Sequence, residues 1–431
     1  MKISFYTLGC RTNQFETQAM EKLFSARGFS LMPWGRGADV YVVNSCTVTA
    51  TADQKTRQQI RRVRRENPEA VIALCGCMAQ NSSDEIKARL GVDVLGGNRD
   101  HIAFVDAVCD YLEGKNAENT GRVSGGFVEL PSGGLAERTR ALLKIEDGCD
   151  YYCTYCAIPY ARGHVRSVLP HRAEEEAAKL ASQGFGEIVI TGIEISAYGA
   201  DIGFTEGLGG ITERIAKAAW PARVSLGSLR PTVITEDFCR RLSSLDNFCR
   251  HFHLSIQSGS DGVLARMKRR YGADQLRMAV ELLNRYFDRP NITGDVICGF
   301  CGETEEEFRE TLSLVKELNL GGLHIFPYSR RAGTFAAKME DSVEKAEKAR
   351  RCALLSGVSR ENYGNYLAKQ VGKTFTVVFE HSSDSGRVGG YTDNYLYATA
   401  PVGLAEPGEV RKVEITGVDP DGESLLCIPL E

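Results

Sequence analysis

Three cysteines, Cys149, Cys153 and Cys156, stand in the order C-x-x-x-C-x-x-C, and no other stretch constrains the fold of this chain as tightly. A cuboidal iron–sulfur cluster requires thiolates that converge on one small inorganic core. A loop with this spacing can wrap three thiolates around three corners of a 4Fe-4S cube and leave the fourth iron open to a small molecule. The paired C-x-x-C spacing of a zinc ribbon is different. Such a loop must hang from a rigid element, and the run before it, Arg140-Ala141-Leu142-Leu143-Lys144-Ile145, has the pattern of a strand. The chain opens on a strand-like segment rather than an apolar leader and contains no apolar run of about 18 residues, so no membrane partner is expected. The expected setting is the reducing cytoplasm, where 14 cysteines serve as metal ligands or buried thiols, not as a disulfide framework. A net charge of −4 gives no global attraction to nucleic acid, so any RNA contact must use local basic patches.

The chain divides by pattern into three domains. Residues 2–8 form a strand, residues 14–26 a helix closed by Gly28, and Val40-Tyr41-Val42-Val43 a buried parallel strand ending at Asn44-Ser45-Cys46. A basic helix carrying Lys55, Arg57, Arg61, Arg62, Arg64 and Arg65 follows, and residues 70–74 form a strand that runs into Cys75-Gly76-Cys77. This alternation predicts an open α/β sheet over residues 1–115. The C-terminal strand ends of such a sheet share one crevice, so Cys10, Cys46 and either Cys75 or Cys77 can meet there. Residues 116–137, rich in Gly, Ser, Asn and Glu, suit a linker. From 138 to 367, about six strand–helix units predict a parallel partial (β/α) barrel with its site at the C-terminal strand ends, where the cysteine loop lies. Strands are expected at 140–145, 187–192, 223–226, 253–257, 291–298 and 322–326, and a charged helix at 342–367. Residues 368–431 change to period-two alternation at 373–380, 394–400 and 409–415, which predicts a small all-β barrel of the oligonucleotide-binding kind.

These segments resemble the radical S-adenosylmethionine (SAM) methylthiotransferases over nearly the whole chain. Gly9-Cys10-Arg11-Thr12-Asn13-Gln14, Asn44-Ser45-Cys46-Thr47-Val48 and Gly76-Cys77-Met78-Ala79-Gln80 are similar to that family's three N-terminal ligand segments, and this selects Cys77 over Cys75. Glu146-Asp147-Gly148-Cys149 and Ala157-Ile158-Pro159-Tyr160-Ala161-Arg162-Gly163 are similar to the surroundings of its SAM-cluster loop, with Tyr155 at the usual aromatic position. Thr191-Gly192-Ile193-Glu194-Ile195-Ser196 resembles the branch acting on threonylcarbamoyladenosine in tRNA; the isopentenyladenosine branch has Gln-Asn where Ile193-Glu194 stand. The C-terminal barrel resembles that family's RNA-binding TRAM domain. Val168, Arg230 and Cys301 depart from the pattern, standing for an arginine, a glutamate and a proline.

The resemblance implies two 4Fe-4S clusters, one on Cys149, Cys153 and Cys156 and one on Cys10, Cys46 and Cys77, with SAM as cofactor. It implies that SAM is reductively cleaved to a 5′-deoxyadenosyl radical that takes hydrogen from C2 of an adenine. The second cluster then supplies sulfur and another SAM the methyl group. Tyr155, Gly192, Glu194, Ser255 and Gln257 are the expected cofactor contacts, the last four at strand ends. Arg57, Arg61, Arg62, Arg65, Lys268, Arg269 and Arg330 are the expected RNA contacts. An unstacked anticodon-loop adenosine of tRNA is the expected substrate, and an electron donor such as flavodoxin or ferredoxin the expected partner; oligomeric state is left open. Alternative substrates are isopentenyladenosine in tRNA or a ribosomal-protein aspartate, and the alternative of another class is a non-catalytic RNA-binding iron–sulfur protein.

Overall fold

The computed structural model describes residues 1–35, 37–80, 88–115, 125–133, 139–383 and 386–430. Strands β1 (Lys2–Thr7), β2 (Ser30–Met32), β3 (Val40–Ser45), β4 (Val71–Gly76) and β5 (Val94–Leu95) form one parallel sheet in the order β2-β1-β3-β4-β5. The order reverses between β1 and β3, and an α/β sheet opens its crevice at the carboxyl ends of the strands at such a switch. Cys10 follows β1, Cys46 follows β3 and Cys77 follows β4. The first helix runs Arg11–Ala26, three residues earlier than periodicity alone indicates. Gly9 allows the early start: at φ +105° it turns strand directly into helix, and a Cβ there would stand 2.9 Å from Cys46 Sγ.

The central domain holds β6 (Arg140–Lys144), β7 (Glu146–Asp147), β8 (Arg166–Ser167), β9 (Glu187–Thr191), β10 (Arg223–Leu226), β11 (Ser228–Leu229), β12 (His251–Gln257), β13 (Asn291–Cys298) and β14 (Gly322–Pro327). They make two parallel arcs, β10-β9-β6 and β11-β12-β13-β14, plus a small antiparallel pair β7-β8. The arcs join because the segment 223–229 begins in one and ends in the other, and Cys249 N–H donates to the Val224 carbonyl at 2.8 Å just before β12. This is the open partial barrel expected from the sequence, with two strands, Arg223–Leu226 and Asn291–Cys298, at the expected bounds. Ile188, Ile190, Val224, Leu226, Phe252, Leu254 and Ile256 share one core with the apolar faces of the helices. By alternation, Lys144, Thr191, Ser225, His253, Ser255 and Asp295 line the lumen.

Strands β15 (Thr374–Ser383), β16 (Arg387–Thr392), β17 (Tyr397–Pro401), β18 (Val410–Val418) and β19 (Leu425–Pro429) close into a barrel in the order β15-β16-β17-β19-β18. The sequence pattern showed three of the five. β16 escapes it because Gly389 and Gly390 replace β-formers: a Cβ at Gly389 would stand 2.0 Å from the Tyr397 hydroxyl oxygen, and one at Gly390 2.1 Å from the Val378 carbonyl oxygen. This barrel closes the N-terminal end of the central lumen. Arg140 Nε donates to Glu380 at 2.5 Å and its guanidinium lies 4.7 Å over Tyr391. Arg223 donates to the Thr376 carbonyl at 2.8 Å, and His251 stacks on Tyr395 at 4.7 Å.

Parts of the expected linker, 116–124 and 134–137, and the expected start of the second domain at Arg138, lie outside the described residues. The described piece between them is tied down. Phe127 packs on the central core, Glu129 pairs with Arg172 at 2.7 Å, and Lys22 Nζ donates to the Ser132 carbonyl at 2.6 Å. Among the described residues, no helix is long and apolar enough to cross a membrane.

The N-terminal sheet meets the central barrel through buried charge. Glu16, on the first helix, accepts from Arg162 and, at 3.0 Å, from Lys144; Lys144 also pairs with Asp147 at 2.8 Å. Burial would raise the Glu16 carboxyl, but Arg162, Lys144 and His101 hold it down at about 2. Glu16→Ala should therefore cost about 3–5 kcal/mol, because it strands two buried cations. Arg172→Ala, at an exposed and solvent-screened pair, should cost far less. Urea midpoints of the two variants measure the contrast. Because the folded value for Glu16 lies below its ordinary 4.5, its contribution is complete above about pH 4.5 and lost as pH falls toward 2. An acid titration that left Glu16→Ala and the parent equally sensitive across that window would contradict the assignment.

Candidate active site

The cysteine loop leaves β7 through Gly148, whose φ of +94° brings a would-be Cβ to 2.0 Å from the His164 carbonyl oxygen, a place only glycine fits. Backbone hydrogen bonds then fix its shape. Cys149 N–H donates to the Gly163 carbonyl at 3.0 Å, Cys156 N–H to Cys153 at 2.9 Å, and Thr154 N–H to Met267 at 3.1 Å. Burial pushes the Cys149 and Cys156 thiols up to about 12. Two guanidiniums face Cys153 Sγ: Arg269 Nη1 at 3.4 Å and Arg230 Nη2 at 3.8 Å.

Across the domain boundary, Cys10, Cys46 and Cys77 gather at the strand-end crevice, close enough that Cys46 feels the charge of both others and Cys77 that of Cys10. Burial raises Cys46 to about 12 and raises Cys77 as well. Val48 N–H donates to Cys46 Sγ at 3.4 Å, and Asn98 Nδ2 to Cys77 Sγ at 3.4 Å. Cys75 points the other way, into an apolar cluster with Met20 and Phe24, its sulfur 4.0 Å from Met20 Sδ. Gly76, at φ +91°, turns the chain so that Cys77 opens the next short helix, Cys77–Gln80. The donors aimed at the sulfurs of Cys153, Cys46 and Cys77 are N–H groups, two of them permanently charged at Cys153, while Cys10 Sγ lies 3.8 Å from Asn13 Oδ1. That donor set suits thiolates bound to a metal cluster better than neutral thiols.

The expected cofactor residues fall around the first triad. Glu194 pairs with Arg230 at 2.5 Å, and the Arg230 guanidinium lies 3.3 Å over Tyr151. The Ser255 carbonyl accepts from Arg269 Nη2 at 2.9 Å. Gln257, buried with φ +66°, ends β12. Tyr155 packs edge-on to Phe300, 6.4 Å between centroids. Gly192 is closed to any side chain: a Cβ would stand 2.7 Å from Glu146 Oε2. Glu146 is fully buried and Oε2 accepts from the backbone N–H of Ile193 and Glu194 at 2.9 and 2.7 Å. Its Oε1 has no partner among the described residues, and burial raises its carboxyl well above the usual range.

The expected RNA residues separate. Arg57, Arg61, Arg62 and Arg65 are exposed on the helix Ala50–Glu66, whose buried face carries Thr56, Ile60 and Val63. Lys268 and Arg330 are exposed too. Arg269 does not join them. It turns inward to Cys153 and Ser255, because the chain reverses at Lys268 (φ +56°). The three departures also find places. Arg230 balances Glu194. Val168 is buried in the core just after β8, and Arg166, two residues earlier, reaches Asp147 at 3.4 Å. Cys301 is buried beside Ala336, to whose carbonyl its thiol donates at 3.7 Å.

Glu16, Lys144, Asp147 and the unpartnered oxygen of Glu146 were missed as site residues. Their only sequence signal was charge inside otherwise apolar or ligand-bearing segments.

Residues 2–97 match the family described as "Uncharacterized protein family UPF0004", and residues 143–315 match the Radical SAM superfamily. The chain is 37% identical, over 96% of its length and 93% of the relative, to threonylcarbamoyladenosine tRNA methylthiotransferase MtaB of Bacillus subtilis (strain 168). It is 35% identical to the Thermotoga maritima MtaB, over 96% of this chain and 94% of that one. Identity to tRNA-2-methylthio-N(6)-dimethylallyladenosine synthase of Bacillus pumilus is 30%, over 96% of this chain and 84% of that one. Among solved structures, the radical SAM methyltransferase TsrM from Kitasatospora setae superposes with a TM-score of 0.58 at 14% identity, over 75% of this chain and 72% of that one, a likeness of fold. Two matching domain models, and relatives of this identity aligned nearly end to end, establish that the chain belongs to the radical SAM methylthiotransferase family.

Proposed function

We propose that this chain methylthiolates C2 of N6-threonylcarbamoyladenosine beside the anticodon of tRNA, with Cys149, Cys153 and Cys156 holding the SAM cluster and Cys10, Cys46 and Cys77 a second 4Fe-4S cluster. The observation that carries this reading is that a side chain from the segment just after the first thiol triad reaches the second. Arg162 ends the helix Ile158–Arg162 that follows Cys156, and its charge opposes the burial-driven rise of the Cys77 thiol. The preference for the threonylcarbamoyl branch rests on its closer relatives and on the Ile193-Glu194 segment.

When bound, SAM and the two clusters supply the hydrogen abstraction, the sulfur and the methyl group that an unactivated aromatic C–H requires. The protein contributes binding, orientation and charge. Arg269 and Arg230 place positive charge against the sulfur of Cys153, which favours the reduced, more negative form of a cluster there. Glu194 orients Arg230, and Glu146 holds the backbone of Ile193 and Glu194. Gly192, Glu194, Ser255, Gln257 and Tyr155 contribute the SAM contacts. The exposed arginines of the helix Ala50–Glu66, with Lys268 and Arg330, form the tRNA footprint. A flavodoxin or ferredoxin delivers the electron.

Nucleoside mass spectrometry of tRNA from cells with and without the gene tests the substrate. Loss of the methylthio form with threonylcarbamoyladenosine accumulating is expected; accumulation of isopentenyladenosine, or no change in any tRNA nucleoside, overturns it. Arg269→Leu should make the SAM cluster harder to reduce by about 60 mV or more, the equivalent of about 1.4 kcal/mol for one electron. A redox titration followed by electron paramagnetic resonance (EPR) reads this shift, and an unchanged potential would remove Arg269 from the role. Replacing Arg61, Arg62 and Arg65 together by Ala should weaken tRNA binding and flatten the slope of log K against log salt by about 2–3. An unaltered slope would take this helix out of the footprint.

A further inference from the structure

Three side chains on adjacent central strands converge in the lumen and belong to neither thiol triad. His253 (β12) puts Nε2 3.1 Å from Asp295 Oδ1 (β13), and His324 (β14) puts Nδ1 3.4 Å from the same oxygen. Register explains the meeting: Asp295 pairs directly with His324, and His253 with Thr293, so all three project from one face. The three ligand atoms lie within 4.8 Å of one another. Nitrogen and oxygen ligands sit about 2.0–2.2 Å from a divalent transition metal. At angles of about 90–110° this puts them about 3.0–3.4 Å apart, the spacing found between each imidazole nitrogen and the Asp295 oxygen.

The surroundings complete the pattern. A metal-binding imidazole commonly engages a partner through its other nitrogen, which fixes the tautomer. His253 Nδ1 lies 2.9 Å from Thr293 Oγ1, and that hydroxyl lies 3.0 Å from Nε2 of His251, itself stacked on Tyr395. Thr293 can thus accept from His253 Nδ1–H and donate to His251, leaving the lone pair of His253 Nε2 turned toward Asp295. Two imidazoles facing one carboxylate, with the other side open, form a facial triad, a donor set for first-row divalent ions. His324 stands on the edge strand of the arc, with its side chain 69% exposed, so the open positions face solvent in the lumen.

We propose that His253, Asp295 and His324 form a mononuclear site for a first-row divalent metal ion, separate from both clusters, with water in its open positions. The site lies about 7 Å along β12 from Ser255, two residues at the strand rise, inside the cavity that the C-terminal barrel closes from below. An ion there adds a fixed positive charge to the lumen floor and a place for an anionic oxygen ligand.

Manganese(II) tests this on the anaerobic, cluster-loaded enzyme, because it prefers oxygen and imidazole donors to thiolates and oxidised 4Fe-4S clusters give no competing EPR signal. Titration should remove one equivalent from the six-line signal of free Mn(II). Loss of an outer-shell partner alone costs about 10–100-fold in affinity. His324→Ala, at the exposed edge, and Asp295→Asn should therefore each weaken binding at least about tenfold while both cluster absorptions persist. If the parent binds no Mn(II) beyond the His324→Ala/Asp295→Asn double variant, the three side chains are only a hydrogen-bonded set and the site is refuted. Equal binding by parent and both single variants would refute it as well.

Discussion

Arg162 has no exposed side-chain surface, and much of the molecule's geometry follows from satisfying its two terminal nitrogens; its Nε has no partner among the described residues. A buried guanidinium is tolerable only when its donors are matched and its charge is balanced. Glu16 and Asn13 come to it from the first helix of the N-terminal sheet, at 2.9 and 2.8 Å, and Asp147 from β7. Lys144 adds a second cation that needs the same two carboxylates. The result is a knot in which Glu16 and Asp147 hold Lys144, Arg162 and, at its edge, Arg166, and it fixes the N-terminal sheet against the barrel. Isolated, either half would bury unbalanced charge. The knot therefore favours one docking of the two units over others, a kind of selectivity that apolar contact alone provides weakly.

The docking matters because each thiol triad sits at the edge of its own unit. Cys10, Cys46 and Cys77 end strands of one sheet; Cys149, Cys153 and Cys156 hang from the first hairpin of the other. Thr12 Oγ1 donates to the Gly192 carbonyl at 2.9 Å, so the residue two places after Cys10 touches the strand end that carries Glu194. Arg331 makes a second tie on the far side, reaching Asp53 at 2.6 Å and Thr47 at 2.9 Å. The C-terminal barrel closes the opposite end of the lumen with tyrosines against arginines and a histidine. The lumen is thereby left polar, sheltered below, and open toward the thiol triads.

Much of this was legible along the chain, for identifiable reasons. Strand–helix alternation and runs such as Val40-Tyr41-Val42-Val43 are local signals, and they marked three of the five strands of the α/β sheet and six of the seven parallel strands of the central arcs. The short loop spacing of Cys149, Cys153 and Cys156 carried its chemistry in eight residues. Illegible were elements whose reason lies across the fold. β16 looks unlike a strand until Tyr397 is seen occupying the space beside Gly389. Arg269 looks like part of a basic surface run until the turn at Lys268 points it at Cys153.

The sequence by itself determined the parts: which segments are strands, which cysteines lie at strand ends, and that a three-thiol loop follows a barrel strand. Periodicity and loop spacing are short-range properties, and they survive being read one residue at a time. Tertiary structure alone decided how the parts face each other: Arg230 against Glu194, Arg162 against Glu16 and Asn13, and His253 with Asp295 and His324 in one lumen. Those pairings join residues up to 149 positions apart, as Asn13 and Arg162 are. No local pattern encodes them; the need to pair buried charge and donors does.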